Sequence, residues 1–293
     1  MKPRIIITGA AGLIGRYVIT SASRWGAGWE VLGLSRAILD LTDHAAVEQF
    51  WQRLTPSAII HCAALSRTAE CERHPQLARR INVEATAHLA HLAKNIPFIF
   101  LSSGEVFDGQ RGWYHETDEP NPINFYGKTK LEAEQLVLQN PSHTVVRIVL
   151  TAGTSQTGDR SFVEDMCRTG KGGTSMTLYA DEYRCPLPAG VIARALWELV
   201  GKNAPGLYHL GGRERLSRWE IGQALLPWYP ELRGRLVEGS GRQHSGAPRP
   251  ADLSLNCHAI QALLSFPIPG FRSWLNDRVH RGVDLWDYET NLS

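Results

Sequence analysis

Tyr126 and Lys130 stand four residues apart in the stretch Asn124-Phe125-Tyr126-Gly127-Lys128-Thr129-Lys130. The residues that follow, with Leu131, Ala133, Leu136 and Val137 apolar, read as an amphipathic helix. One turn apart on such a helix, the two side chains leave the same face and their polar ends reach one ligand. A phenol with an ordinary pKa near ~10 is a poor acid at neutral pH, and a neighbouring ammonium improves it by stabilising the phenolate. Taken alone, the pair equally describes a solvated helix face. A third residue changes the weight of the argument. The apolar run Pro97-Phe98-Ile99-Phe100-Leu101 delivers Ser102-Ser103 at its end, where a hydroxyl would hydrogen-bond an oxygen on which charge develops. Serine, tyrosine and lysine together point to proton transfer at a carbonyl.

Strands must position these groups, and the chain opens with one. Arg4-Ile5-Ile6-Ile7-Thr8 is a β-branched run of the kind buried on both faces, and it enters Gly9-Ala10-Ala11-Gly12-Leu13-Ile14-Gly15 directly. Strand, glycine turn and helix make a phosphate cradle. Gly9 permits the turn, Gly12 admits a pyrophosphate to the helix N-terminus, and Gly15 lets the helix sit close. The spacing departs from the commonest dinucleotide pattern, and three glycines in a turn also serve packing alone. A second strand, Trp29 to Leu34, ends in Ser35-Arg36, where dinucleotide folds place the group that reads the adenosine ribose. A hydroxyl and a guanidinium suit a 2′-phosphate where a carboxylate would repel it, so NADP is expected over NAD. Arg36 as a plain surface residue is the other reading. Asp40-Leu41 follows, with a carboxylate that either accepts from an adenine amino group or caps the next helix. The third strand, Ala58 to Ala64, ends in Cys62-Ala63-Ala64, small residues over which a flat cofactor can lie. His61 within it is read as a packed, satisfied histidine. A helical segment beyond His74-Pro75 carries Asn82.

Composition bounds the function. A chain of 293 residues is long enough for a large domain with a smaller companion. A net charge of +2 gives no electrostatic reason to expect nucleic acid or a membrane surface. No apolar run reaches the roughly 20 residues of a spanning helix and no signal-peptide pattern precedes the first strand, so a cytoplasmic location is expected. Cys62, Cys71, Cys167, Cys185 and Cys257 are scattered, which predicts reduced thiols and no metal site.

Thr8 to Gly15, His61-Cys62-Ala63-Ala64, Asn82-Val83, Ser102 to Gly109 and Tyr126-Gly127-Lys128-Thr129-Lys130 resemble the extended short-chain dehydrogenase/reductases. Within them the chain most resembles the dTDP-4-dehydrorhamnose reductase family, with support from Glu116 to Asn124 and from Arg249 to Asn256. The resemblance spans nearly the whole length. It implies Ser103 and Tyr126 at the reacting carbonyl, Lys130 on the nicotinamide ribose, and Asn82 near the same site. Two departures fall at the implied substrate pocket. Ser103-Gly104-Glu105 stands where the family usually has threonine-aspartate-tyrosine, and Leu150 where it often has tryptophan. A related branch contains the regulatory subunit of methionine adenosyltransferase, which keeps the fold and binds NADP while serving a partner protein.

Beyond residue 150 periodicity weakens and glycine rises around a helix from Phe162 to Cys167. Leu178-Tyr179 and Arg184 to Pro188 read as a crossover returning to the main domain before a helix over Val191–Val200 and a strand over Gly206–Leu210. Ser217-Arg218-Trp219-Glu220 reads as a capping box. Arg213, Arg215, Arg218 and Arg249 are candidates for a diphosphate, each also readable as a surface arginine. The stretch Gly239 to Gly246 reads as a mobile loop. The expectation is therefore an α/β, doubly wound parallel sheet with a smaller carboxy-terminal lobe. Residues 1–152 form the NADP-binding domain, with returning segments at about 177–212, and 153–293 form a discontinuous substrate lobe. Cofactor contacts are expected from Gly9, Gly12, Leu13, Ile14, Gly15, Ser35, Arg36, Asp40, Leu41, Cys62, Ala63, Ala64, Asn82, Tyr126 and Lys130. Substrate contacts are expected from Ser103, Gly104, Glu105, Leu150 and Arg249. The expected activity is NADPH-dependent reduction of a keto group on a nucleotide-sugar. An epimerase or dehydratase of the same fold and a non-catalytic NADP-binding regulatory subunit are the alternatives, and a homodimer is the assembly to test.

Overall fold

Each early apolar run feeds two cores at once, because successive side chains of a strand point to opposite faces. The computed structural model, which describes residues 2–281, 285 and 286, places β1 (Arg4–Thr8), β2 (Glu30–Leu34), β3 (Ala58–His61), β4 (Phe98–Ser103), β5 (Thr144–Ile148) and β6 (Gly206–Leu210) in one sheet. Ile5, Ile7, Ile60, Ile99, Leu101 and Val146 pack on one side with Val18, Leu196 and Trp197. Ile6, Ile59, Phe98, Phe100 and Val145 pack on the other with Val47, Leu89, Ala133 and Val137. A sheet covered on both faces must draw on continuous apolar runs, which is how these strands read in the sequence.

All pairings in this sheet are parallel, in the order β6-β5-β4-β3-β1-β2. The direction of winding reverses between β1 and β3, and an open α/β sheet forms its ligand crevice at such a switch, outside the carboxyl ends of the strands. Thr8 is level with His61 and Ser103 with Ile148, so the glycine turn, the Cys62 end of β3 and the two serines emerge along one edge.

A second core holds Phe162, Met166, Leu178, Leu216, Ile221, Leu225, Phe271 and Trp274. The helix Phe162–Lys171 begins at Ser161 with a full capping box, and Ser217 and Glu220 form another before Arg218–Leu225. Two expectations need correction. Leu178 belongs to this second core, and Met176–Tyr179 pairs with Leu236–Gly239, so the return to the main core starts at Leu187 rather than at about 177. A further return, Ile260 to Ile268, was missed. The stretch read as a mobile loop is tied down: Asp181 accepts from the Ser240 hydroxyl at 2.5 Å and the Gly241 amide at 2.6 Å, and Tyr179 and His244 lie 3.2 Å apart. Among the described residues no helix is long and apolar enough to cross a membrane.

Candidate active site

The glycine turn is shaped by contacts that a side chain would destroy. Gly9 takes a left-handed φ of 67°, and a Cβ there would stand 2.8 Å from the Ala63 nitrogen. At Gly15 a Cβ would stand 2.3 Å from the Gly9 carbonyl oxygen. The turn closes through the Gly12 amide on the Gly9 carbonyl at 2.8 Å, and Gly12 precedes the helix Leu13–Thr20 with extended backbone. The result is a helix N-terminus approached through glycine and alanine beside the small residues that end β3, a fit for a dinucleotide pyrophosphate. His61 is satisfied within the core, 2.7 Å from the Thr8 hydroxyl and 3.0 Å from that of Thr86.

Two cavities open from this turn. One, of about 430 Å³, is lined by Ser35, Arg36, Asp40, Leu41, Cys62, Ala63 and Ala64, with Arg80 at its rim. Asp40 accepts from the Thr42 amide at 3.0 Å and hydroxyl at 2.8 Å, which holds its carboxyl below the usual range, and Arg36 lies 3.5 Å away. Capping of the helix His44–Leu54 falls to Asp43 instead, through the Ala46 amide at 3.0 Å. Arg80 went unread in the sequence because nothing marked the face of its helix.

The other cavity, of about 350 Å³, gathers Leu13, Ile14, Ser103, Gly104, Glu105, Tyr126, Lys130 and Leu150. Tyr126 and Lys130 stand in the helix Phe125–Val137, capped by Asn124, whose side chain accepts from the Gly127 amide at 2.8 Å and donates to Glu105 at 2.7 Å. A Cβ at Gly127 would stand 2.1 Å from the Glu105 carbonyl oxygen, so this glycine lets the helix press against the end of β4. Burial raises the Tyr126 phenol above its ordinary range, Glu105 adds to the rise, and a hydrogen bond with Ser103 opposes it. Lys130 is buried, donates to the Leu101 carbonyl at 2.6 Å and lies 4.0 Å above the Phe100 ring. Burial brings its ammonium down to about 7 against the pull of Glu134.

Asn82 and the expected diphosphate arginines are placed otherwise. Asn82 lies in a π-turn over Arg80–Glu84 and lines neither cavity. Its amide accepts from Leu65 N at 2.8 Å and donates to Leu65 O and the Thr129 hydroxyl, each at 3.0 Å, so it fastens the helix Phe125–Val137 to the chain beyond β3. Arg249 makes two 2.7 Å bonds to Glu182 and does not reach the cavity lining. Arg215 pairs with Asp252 at 2.6 Å, Arg213 donates to Gln261 at 3.2 Å, and Arg218 is half-buried 4.0 Å from Glu182. The arginines that do line the cavity are Arg160 and Arg184. Their sequence neighbourhoods, a glycine-rich loop and a proline crossover, carried no signal for a site.

The profile of the RmlD substrate binding domain matches residues 2–283. The chain belongs to the RmlD substrate-binding family. It shares its fold with solved dTDP-4-dehydrorhamnose reductases, and its homologues include both a dTDP-4-dehydrorhamnose reductase and beta subunits of methionine adenosyltransferase 2. A dTDP-4-dehydrorhamnose reductase from Mycolicibacterium smegmatis is 33% identical over 288 residues, covering 95% of this chain and 86% of that protein. A methionine adenosyltransferase 2 subunit beta from Danio rerio is 31% identical over 302 residues, covering 98% and 91%. The solved dTDP-4-dehydrorhamnose reductase of Bacillus anthracis in complex with NADP superposes with a TM-score of 0.86 at 24% identity, covering 96% of this chain and all of that one. In this member of the RmlD family the departures Gly104, Glu105 and Leu150 line the same cavity as Arg184.

Proposed function

We propose that the protein reduces a keto group on a nucleotide-activated sugar with NADPH. The observation that carries this reading is that Ser103, Tyr126 and Lys130 line one cavity with Gly9, Gly12 and Gly15, and that this cavity continues to Leu150 and Arg184 on the lobe side. The cradle at Gly9 to Gly15 fits a pyrophosphate, and Ser35, Arg36 and Arg80 fit a 2′-phosphate. When bound there, the nicotinamide cofactor supplies the hydride. Tyr126 would deliver the proton to the substrate oxygen, and its raised pKa keeps the phenol charged with that proton at neutral pH. Ser103 would hold the same oxygen, and Lys130 would steady the phenolate after transfer. The test is incubation with NADPH and a panel of nucleotide-4-keto-sugars. Stoichiometric loss of reduced-nicotinamide absorbance is expected, and its absence across the panel would remove the reading.

A second reading has its own support. The relatives named methionine adenosyltransferase 2 subunit beta match the chain over comparable lengths, and Gly104, Glu105 and Leu150 alter the sugar end of the cavity. On that reading the cleft binds NADP as part of a partner-serving subunit. A third, epimerase or dehydratase chemistry, would rest on Glu105 as the carboxylate beside Tyr126, and net consumption of NADPH separates it from a reductase.

A further inference from the structure

We infer that Arg160, carried on the loop before the helix Phe162–Lys171, closes over the glycine turn and grips the cofactor pyrophosphate from the lobe side. The inference rests on the dinucleotide reading of the cleft, although not on any catalytic activity.

The two cavities share five lining residues: Gly9, Gly12, Cys62, Ala64 and Arg160. Four of these are the glycine turn and the adjoining end of β3, which marks where the adenosine-side and nicotinamide-side cavities meet. Arg160 is the fifth, and it alone comes from beyond the sixty-fourth residue. Arg160 therefore lines the same junction as the backbone amides at a helix N-terminus, which brings two anion-binding features to one place. The pyrophosphate is the part of a dinucleotide that must cross that junction.

The loop is built to hold this position. Glu164 accepts from the Arg160 amide at 2.7 Å, the Ser161 amide at 3.0 Å and the Ser155 hydroxyl at 2.9 Å, gathering the loop onto the start of its helix. At the far side Arg67, which precedes the helix Thr68–Arg73, donates to the Asp159 carbonyl at 2.8 Å and its carboxylate at 3.2 Å. Asp159 also lies 3.2 Å from Arg160 Nε. One carboxylate thus serves two guanidiniums, Arg67 from the sheet side of the cleft and Arg160 on the loop itself. The contact Arg67–Asp159 spans 92 residues of sequence and ties the loop to the main sheet side of the cleft.

Binding measured by calorimetry tests the assignment without reference to turnover. Arg160→Ala is expected to weaken NADPH by about tenfold to a hundredfold, the scale of a charged hydrogen bond, and Arg160→Lys to restore part of it. Adenosine 2′-monophosphate, which has no pyrophosphate, should bind the Arg160→Ala variant as it binds the unmutated chain. Arg67→Ala should raise the rate of NADPH release in stopped flow, because it cuts the loop free while leaving Arg160 in place. Unchanged NADPH affinity in a folded Arg160→Ala protein would overturn the inference while leaving the cofactor reading intact. Equal losses for NADPH and adenosine 2′-monophosphate, or a loss confined to a nucleoside diphosphate such as dTDP, would also overturn it. No binding of NADPH to the unmutated protein would bring down the reading and the inference together.

Discussion

Tyr126 and Lys130 share a helix face but have unlike electrostatic settings, and each setting makes a separate prediction. The phenol lines the cavity, so Tyr126→Phe should lower turnover by at least about 10²-fold while NADPH affinity in calorimetry stays near its original value. Full activity in that variant on an authentic substrate would mean another group supplies the proton. Lys130 is buried, and its pKa falls from an unfolded value near ~10.4 to about 7 in the fold. The charged form is thus the disfavoured one in the native state. That penalty is complete below pH 7, fades as pH rises from 7 toward about 10.4, and is gone above it. Lys130→Met should therefore stabilise the protein in urea unfolding by something on the order of a few kcal/mol at pH 6, with the gain shrinking toward pH 10. A gain that grew with pH would contradict the burial argument. Arg36 is largely exposed, and Arg80 lines the same cavity. Arg36→Ala should accordingly remove only about 1 kcal/mol of the preference for NADPH over NADH at moderate salt, with Arg80→Ala removing the rest. Equal affinities for the two cofactors in the unmutated chain would end the 2′-phosphate assignment.

At the scale of elements, the helix that carries the tyrosine shows where sequence pattern runs out. Its buried residues are Gly127, Thr129, Lys130, Ala133, Glu134 and Val137, so two charged residues occupy positions that an apolar stripe would fill. Glu134 accepts from Arg147 Nη2 at 2.7 Å and from its Nε at 3.0 Å, and the Ser102 hydroxyl also donates to it. Arg147 lies 3.3 Å from His209, whose ring lies 3.0 Å from the Tyr114 carbonyl. The network joins β4, β5, β6 and the helix beneath Ser103. Glu134→Ala should destabilise by about 3–5 kcal/mol in denaturant unfolding, because it strands a buried guanidinium, and replacing both partners by methionine should cost less than the two single losses added together. Strict additivity would show that the pair does not act as a unit. The strands, the glycine turn and the Ser103, Tyr126, Lys130 spacing were legible because each depends on local pattern: a continuous apolar run, a positive φ, one helical turn. Asn82 was legible as a landmark but not in its role, since only the fold shows that Leu65 and Thr129 consume its amide. The pairing of Arg249 with Glu182 was hidden for the same reason, the partners being 67 residues apart.

For the whole molecule, the order of the chain and the order of the cores diverge after residue 150, and the function turns on that divergence. The lobe core draws Phe162, Leu178, Leu216 and Phe271 from separated segments, so no single stretch of the chain marks it, which is why its boundary was misplaced in the sequence. The cavity that holds Ser103 and Tyr126 is lined from both sides, by Gly9 to Gly15 of the sheet domain and by Arg160, Phe162 and Arg184 of the lobe. Among its lining residues and those of the adjoining cavity the cations Arg36, Arg80, Lys130, Arg160 and Arg184 outnumber the anions Asp40 and Glu105. Such a cleft suits two phosphate-bearing ligands better than one. A reductase must take a nucleotide-sugar on top of its dinucleotide, whereas a subunit that only serves a partner needs no formed sugar site. With NADP already saturating, a nucleotide-sugar that binds the folded state alone should add RT ln(1 + [L]/Kd), about 2.7 kcal/mol at a hundredfold excess over Kd, and raise the melting temperature accordingly. Leu150→Trp and Glu105→Tyr, which refill the altered end of the cavity, should change which sugars give the shift while leaving the NADP shift in place. If a broad panel of nucleotides and nucleotide-sugars moves the melting temperature no further than NADP alone, and none is reduced, the cleft serves a cofactor-binding subunit and the reductase assignment falls.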